Sequence, residues 1–173
     1  MNLDTVIAKI PDFPKPGILF YDITTVFKTP AALRFCLEQI CSHFPAEEID
    51  GVVGVESRGF IMSSLYAHET QTPLLLARKA GKLPGKTVSK KYALEYGTAT
   101  MEMHVEDIVA GKRYLIVDDL IATGGTLAAV AHMIEQQGGE VAGIFSIIGL
   151  PFLQYEEKIG QYRIITLQDY HGE

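Results

Sequence analysis

Asp118 and Asp119 stand side by side after the apolar run Arg113-Tyr114-Leu115-Ile116-Val117. Behind them come Leu120, Ile121, Ala122, Thr123, Gly124, Gly125 and Thr126. The apolar run predicts a strand that delivers two carboxylates to its carboxyl end, where open α/β sheets place their ligands. The small residues that follow leave room for backbone N–H groups to close around an anion. A helix starting near Gly125 adds free N–H groups and the positive end of its dipole. Acids suited to hydroxyl groups thus lie beside a cradle suited to a phosphate, and a phosphorylated sugar presents both. No G-x-x-x-x-G-K-[ST] and no G-x-G-x-x-G occurs, so neither a Walker P-loop nor a dinucleotide fingerprint is present.

Glu56-Ser57-Arg58-Gly59-Phe60 has the same logic, leaving a buried strand at Val55 and entering a helix. Its plain reading is a helix cap at Ser57 with Arg58 on the surface. Its functional reading sets backbone amides and Arg58 against a second phosphate. The basic segment Arg78-Lys79-Ala80-Gly81-Lys82-Leu83-Pro84-Gly85-Lys86 reads either as a solvated loop or as a cover that excludes water over a departing anion.

The elements that must hold these residues alternate between strand and helix. Asn2 to Lys9 predicts a short helix, and the prolines of 11–17 an irregular segment. Ile18 to Ile23 reads as extended. Thr29-Pro30 reads as an N-cap and first-turn proline, with Leu33, Cys36, Leu37, Ile40, Cys41 and Phe44 at helical spacing behind them. Strands are expected at Gly51–Val55, Leu74–Ala77, Ala99–Val105, Arg113–Val117, Val141–Ile148 and Tyr162–Leu167. The helix after the two acids should run to about Gln137, where Gly138-Gly139 stops it. This order predicts an α/β fold with a mostly parallel, Rossmann-like central sheet flanked by helices.

The 173 residues suit one domain, expected over 1–173, and 47% apolar with 21% charged residues is ordinary globular composition. A formal net charge of −6 argues against a nucleic-acid partner. No apolar run is long enough for a membrane span, and the N-terminal residues do not read as a signal peptide. Cys36 and Cys41 lack C-x-x-C spacing and are expected as buried free thiols, which implies a reducing cytoplasm. The five histidines form no metal-binding pattern.

Taken together, the run from Leu115 to Leu127 resembles the phosphoribosyl pyrophosphate signature of the type I phosphoribosyltransferase family. R-K-x-G-K-L-P-G followed by Tyr92-Ala93-Leu94-Glu95-Tyr96-Gly97 is similar to its adenine-specific branch. The resemblance extends from about Pro11 to Leu167. It implies a hood at about 11–28 and a flexible lid at about 78–97. Leu19, Phe20 and Tyr21 would then meet the base, Phe20 by stacking. Tyr21 stands where many relatives carry Arg, and Gly149-Leu150 where they often carry Glu-Leu. The implied reaction joins adenine to phosphoribosyl pyrophosphate, giving AMP and pyrophosphate. Asp118 and Asp119 would hold the ribose diol, and Leu120 to Thr126 the sugar and its phosphate. Arg58, Lys79 and Lys82 would meet the pyrophosphate. Arg78 would reach a partner subunit in a homodimer, Tyr96 would contact substrate, and Glu95 would handle the proton of the base. Magnesium is expected through substrate oxygens and water rather than through protein ligands. Rival readings are a relative acting on xanthine or hypoxanthine/guanine, a non-catalytic sensor of the same pyrophosphate donor, and a phosphoryl-accepting receiver domain.

Overall fold

The computed structural model describes residues 1–93 and 97–172. A single 3-10 turn at Leu3–Thr5 leads into a short antiparallel ribbon of β1 (Ala8–Ile10) and β2 (Phe20–Asp22). This replaces the helix expected over Asn2 to Lys9. The Asn2 side chain accepts the Asp4 N–H at 3.0 Å and caps one turn only, and Lys9 then pairs across to Tyr21. Leu3 and Ile7 are both buried, so the four-residue spacing that suggests a helix is met by a turn followed by extended chain.

Two helices follow, α1 (Thr24–Phe27) and α2 (Pro30–His43). Thr29 is the extended N-cap of α2 with Pro30 behind it, as the dipeptide predicts. Its hydroxyl, however, donates to the Thr25 carbonyl at 2.8 Å and makes no capping bond. The buried stripe of α2 is Ala32, Cys36 and Ile40, continued by Phe44. Cys36 is fully buried and its thiol is pushed up to about 12 by desolvation; Cys41 is only half-buried, and both are free thiols.

The main sheet uses β3 (Gly51–Val55), β4 (Leu74–Lys79), β5 (Thr87–Ala93), β6 (Thr98–His104), β7 (Arg113–Ile121), β8 (Glu140–Gly149) and β9 (Ile164–Asp169). Its order is β5-β6-β4-β3-β7-β8-β9. The five strands from β4 to β9 in that order are parallel, and β6 and β5 extend them antiparallel. The crossovers include α3 (Gly59–Thr70), α4 (Gly125–Gln136) and the short α5 (Glu156–Ile159). Strand alternation divides the core into two layers. Val52, Leu115, Val117 and Ile147 face α2 and α3, whereas Val53, Val55, Ile116 and Ile144 face α4.

Neighbouring β3 and β7 therefore send their helices to opposite faces. Where the two chains part, a crevice opens at the carboxyl ends of the strands. β3 pairs with β7 only as far as Gly54 opposite Val117, so Asp118 and its successors have no neighbour on that side. On the other side β7 continues against β8, from Asp118 opposite Ser146 to Ile121 opposite Gly149. The strand is thus four residues longer than its apolar run predicts. Among the described residues, no helix is long and apolar enough to cross a membrane.

Candidate functional site

A cavity of about 450 Å³ occupies the crevice. Asp118, Asp119, Leu120 and Thr126 line one wall, and Glu56, Ser57 and Arg58 line another. Lys79, Tyr92 and Met101 reach it from the antiparallel side of the sheet. Six of the residues expected from the sequence therefore meet in one space: Arg58, Lys79, Asp118, Asp119, Leu120 and Thr126.

The two acids differ in environment because successive strand residues face opposite ways. Asp119 is buried and accepts from Arg58 Nε at 2.7 Å. Asp118 turns back on the chain, and its Oδ1 accepts the Asp119 N–H at 2.8 Å. Desolvation first, and the neighbouring Asp119 charge second, push the Asp118 carboxyl well above its ordinary value. A cationic group entering the cavity would favour the ionised form again.

Gly59 allows α3 to begin this close to β7. A Cβ there would lie 2.7 Å from the Val117 carbonyl oxygen and 3.0 Å from the Asp118 Cα. Ser57 does not cap α3 with its side chain as expected; Arg58 holds the N-cap position, and the Ser57 carbonyl accepts from the Phe60 N–H at 3.2 Å. The peptide bond between Glu56 and Ser57 is cis.

The expected anion cradle runs Ala122-Thr123-Gly124 into α4. Gly124 is the N-cap with φ of +73°, a left-handed conformation natural to glycine, and the Tyr155 backbone packs against it. Lys158 holds the loop by donating to the Thr123 carbonyl at 3.0 Å. The first turn of α4, Gly125 and Thr126 included, presents N–H groups that lack intrahelical partners. Ile121 differs from its neighbours: its side chain is 1% exposed in the α4 layer, so any ligand contact there falls to the main chain.

Glu56 is the residue whose place the sequence left unread. Its side chain is only 6% exposed, yet it carries a charge cluster. Arg78 donates to it through Nε at 3.3 Å and Nη2 at 3.4 Å, the Lys79 N–H at 3.0 Å, and the Lys82 ammonium completes the set. Desolvation alone would raise its pKa, but Lys82, the Lys79 amide and Arg78 outweigh this and hold it at about 2. Arg78 and Lys82 are therefore turned to Glu56 in this structure. Spacing carries no sign of this pairing, since Glu56 and Lys82 meet only because β3 and β4 are neighbours. Tyr92, which lines the cavity, was equally hidden in a basic stretch.

The segment expected as a loop over 78–97 is more regular than that. Its middle folds back on β6: the Ala80 N–H meets the Thr100 carbonyl at 2.9 Å, the Gly81 N–H meets Glu102 at 3.0 Å, and His104 Nε2 lies 2.8 Å from the Pro84 carbonyl oxygen. From Thr87 it is strand β5, paired with β6 over seven positions. Glu95 and Tyr96 lie outside the described residues.

The hood residues lie apart from the cavity wall. Leu19 packs on the α2–α3 core layer, and Phe20 meets Phe13 edge-on with ring centroids 5.0 Å apart. The Tyr21 side chain turns away from the cavity. It is 6% exposed and stacks on Tyr170, so a ligand would meet only the main chain there. At the second departure, a Cβ on Gly149 would clash with Asp169 Oδ1; the bare glycine makes room for an acid supplied by β9. Among the described residues, no group of three or more His, Cys, Asp or Glu side chains converges to hold a metal ion.

The parallel α/β sheet with its crevice at the strand ends belongs to the class of α/β enzymes that place their sites there. Residues 22–172 match the family described as the phosphoribosyl transferase domain, and the chain belongs to that family. An adenine phosphoribosyltransferase of Treponema pallidum subsp. pallidum is 52% identical over 99% of this chain and 90% of that protein. The crystal structure of adenine phosphoribosyltransferase from Thermoanaerobacter pseudethanolicus aligns with a TM-score of 0.92 at 39% identity, covering 97% of this chain and 98% of that one. The Saccharomyces cerevisiae enzyme, solved with adenine and an imino-altritol bisphosphate, aligns at 0.89 and 34% identity over 96% of each chain.

Proposed function

We infer that this enzyme transfers the phosphoribosyl group of phosphoribosyl pyrophosphate to adenine, forming AMP and pyrophosphate and so salvaging the free base. The observation that carries the reading is the meeting of Asp118, Asp119, Arg58 and the N-terminus of α4 around one cavity, in a chain whose relatives bear the name adenine phosphoribosyltransferase.

In the reaction the base nitrogen attacks the anomeric carbon, the bond from that carbon to the pyrophosphate oxygen breaks, and the base gives up a proton. The sugar gains cationic character while the departing group gains negative charge, so neighbouring places in the site must favour opposite signs. Asp118 and Asp119 hold the ribose hydroxyls and set negative field beside the sugar. The 122–126 loop and the first turn of α4 anchor the phosphate, with the Thr123 and Thr126 hydroxyls as further donors. That remote anchor fixes the reacting carbon. Arg58, Lys79 and Lys82 meet the pyrophosphate, which requires Arg58 to leave Asp119 and Lys82 to leave Glu56. Leu19 and Phe20 cover the base, with main-chain groups there setting its identity. Tyr96 adds a substrate contact, and Glu95 takes the proton. Arg78 serves the site of a partner subunit in a homodimer.

Magnesium would fit this donor set held by substrate oxygens and water, with Asp118 and Asp119 offering hard oxygens to its hydration shell, and would offset charge on the pyrophosphate. The test is a panel of adenine, hypoxanthine, guanine, xanthine and orotate, each with phosphoribosyl pyrophosphate and magnesium. AMP formation with adenine at a kcat/KM at least about tenfold above every other base is expected, a gap of roughly 1.4 kcal/mol. Preference for another base, or no turnover with any, overturns the reading.

A further inference from the structure

The ribbon of β1 and β2 stands outside the main sheet, and two short strands alone are marginal in water. Something must fix its attitude, and Tyr21 is placed to do so. Tyr21 and Phe20 are consecutive on β2 and so point to opposite faces. The Tyr21 ring lies on the Tyr170 ring with centroids 3.7 Å apart and planes 14° from parallel. Tyr170 follows β9 directly, and its N–H donates to the Gly149 carbonyl at 3.0 Å, so its ring belongs to the rigid edge of the sheet. The Tyr21 hydroxyl donates to the Gly172 carbonyl at 3.2 Å, a second tie to the same segment. On β1, Lys9 pairs with Tyr21 across the ribbon, sets its ammonium 5.4 Å from the Tyr170 centroid and pairs with Asp4 at 2.6 Å. The ribbon is also tied to α1, by the Ala8 N–H donating to the Thr25 hydroxyl at 3.1 Å and that hydroxyl donating to the Asp22 carbonyl at 2.8 Å, and the flanking Ile7, Leu19 and Ile23 pack on the core, but none of these ties reaches the far edge of the sheet. Both tyrosines are at least nine-tenths buried.

We propose that Tyr21 and Tyr170 form a positioning stack that moors the ribbon to the sheet edge and thereby orients Leu19 and Phe20 for the base. Tyr21 is then a specificity-supporting residue whose side chain never touches the ligand. Its aromatic ring answers a requirement of this chain, a flat partner for Tyr170. The inference rests on the reading of the ribbon as the base-covering element.

Steady-state kinetics on two variants test it. Tyr170→Leu keeps an apolar side chain but removes the stack; Tyr170→Phe keeps the stack. Loss of the stack should raise the KM for adenine about fivefold or more, leave the KM for phosphoribosyl pyrophosphate within about twofold, and leave the Phe variant close to wild type. Unchanged constants, or equal rises in both, overturn the proposal, because general loosening would not select the base. Hydrogen exchange on the wild-type protein gives a readout independent of whether Tyr170→Leu folds. Adenine should slow exchange at the ribbon amides and at the Tyr170 amide together; protection of the ribbon without Tyr170 also overturns it. A wild-type enzyme that ignores adenine altogether fails the functional reading instead, and the two failures are told apart by that control.

Discussion

Asp118 sets function against stability. Its carboxyl is held well above its ordinary value of 3.8, first by desolvation and then by the charge of Asp119. A carboxyl whose folded pKa is raised favours the folded state when it is protonated. That advantage is lost as pH rises through the interval from 3.8 to the folded value, and once the group ionises burial works against its charge. Asp118→Asn should therefore raise the thermal midpoint at pH 7 while lowering turnover by about 10² or more, as for other groups that stabilise developing charge. Calorimetry beside a kcat measurement checks both halves. A less stable variant would contradict the electrostatic account, and full turnover would remove Asp118 from the site.

Glu56 has the opposite sign. Desolvation opposes its charge, but Lys82, the Lys79 amide and Arg78 prevail and hold it at about 2, below its ordinary 4.5. Its contribution is complete above about pH 4.5 and is lost as pH falls through the interval down to about 2. In acid titrations followed by circular dichroism, Glu56→Gln should flatten the loss of stability within that interval and lower stability by a nearly constant amount between pH 6 and 8. An acid slope identical to wild type would mean that the cluster does not hold in solution.

Among the elements, α3 meets β7 closely at the site, backbone against backbone. Gly59→Ala would press a methyl group against the Val117 carbonyl and the Asp118 backbone, and backbone cannot swing aside as a flexible side chain can. The expected cost is about 1–3 kcal/mol of stability, as for overpacked cores, with activity lost because Asp118 shifts. Denaturant unfolding and kinetics on the same sample check this; a neutral substitution would show that the joint has slack. This scale also shows what the sequence carried. Buried parallel strands such as Gly51–Val55 are legible because both faces are covered, leaving a continuous apolar run. The end of β7 is not legible, since Asp118 and Asp119 stay in strand through their bonds to β8, a neighbour distant in sequence. β5 reads as loop because an edge strand is free to be polar: of Thr87 to Ala93, Val88 alone is fully buried, and Lys90 and Lys91 sit where edge charges discourage further pairing. The inward face of Tyr21 is not legible either, because a strand of three residues has too little alternation to show it.

Charge organises the whole molecule in a way its total conceals. The net charge is −6, yet the substrate of the inferred reaction is a polyanion. Arg58, Lys79, Arg78 and Lys82 concentrate on one side of the crevice, and the acids that balance them are the buried Asp119 and Glu56. Buried carboxylates have little reach into solvent, whereas the Arg58 and Lys82 side chains are nearly half exposed. The mouth of the site thus offers positive potential on a protein that repels anions elsewhere. Screening must weaken that attraction, as the Debye length shrinks from about 30 Å at 0.01 M salt to about 10 Å at 0.1 M and about 3 Å at 1 M. At fixed magnesium, the KM for phosphoribosyl pyrophosphate should rise several-fold across that range, while the KM for uncharged adenine stays nearly constant. Lys79→Ala should flatten the salt dependence, because Lys79 lines the cavity. It accepts no side-chain role in the Glu56 cluster beyond its main-chain amide. If both constants drifted together with salt, the effect would lie in the protein's general stability, and the cationic mouth would have no part in drawing in the donor.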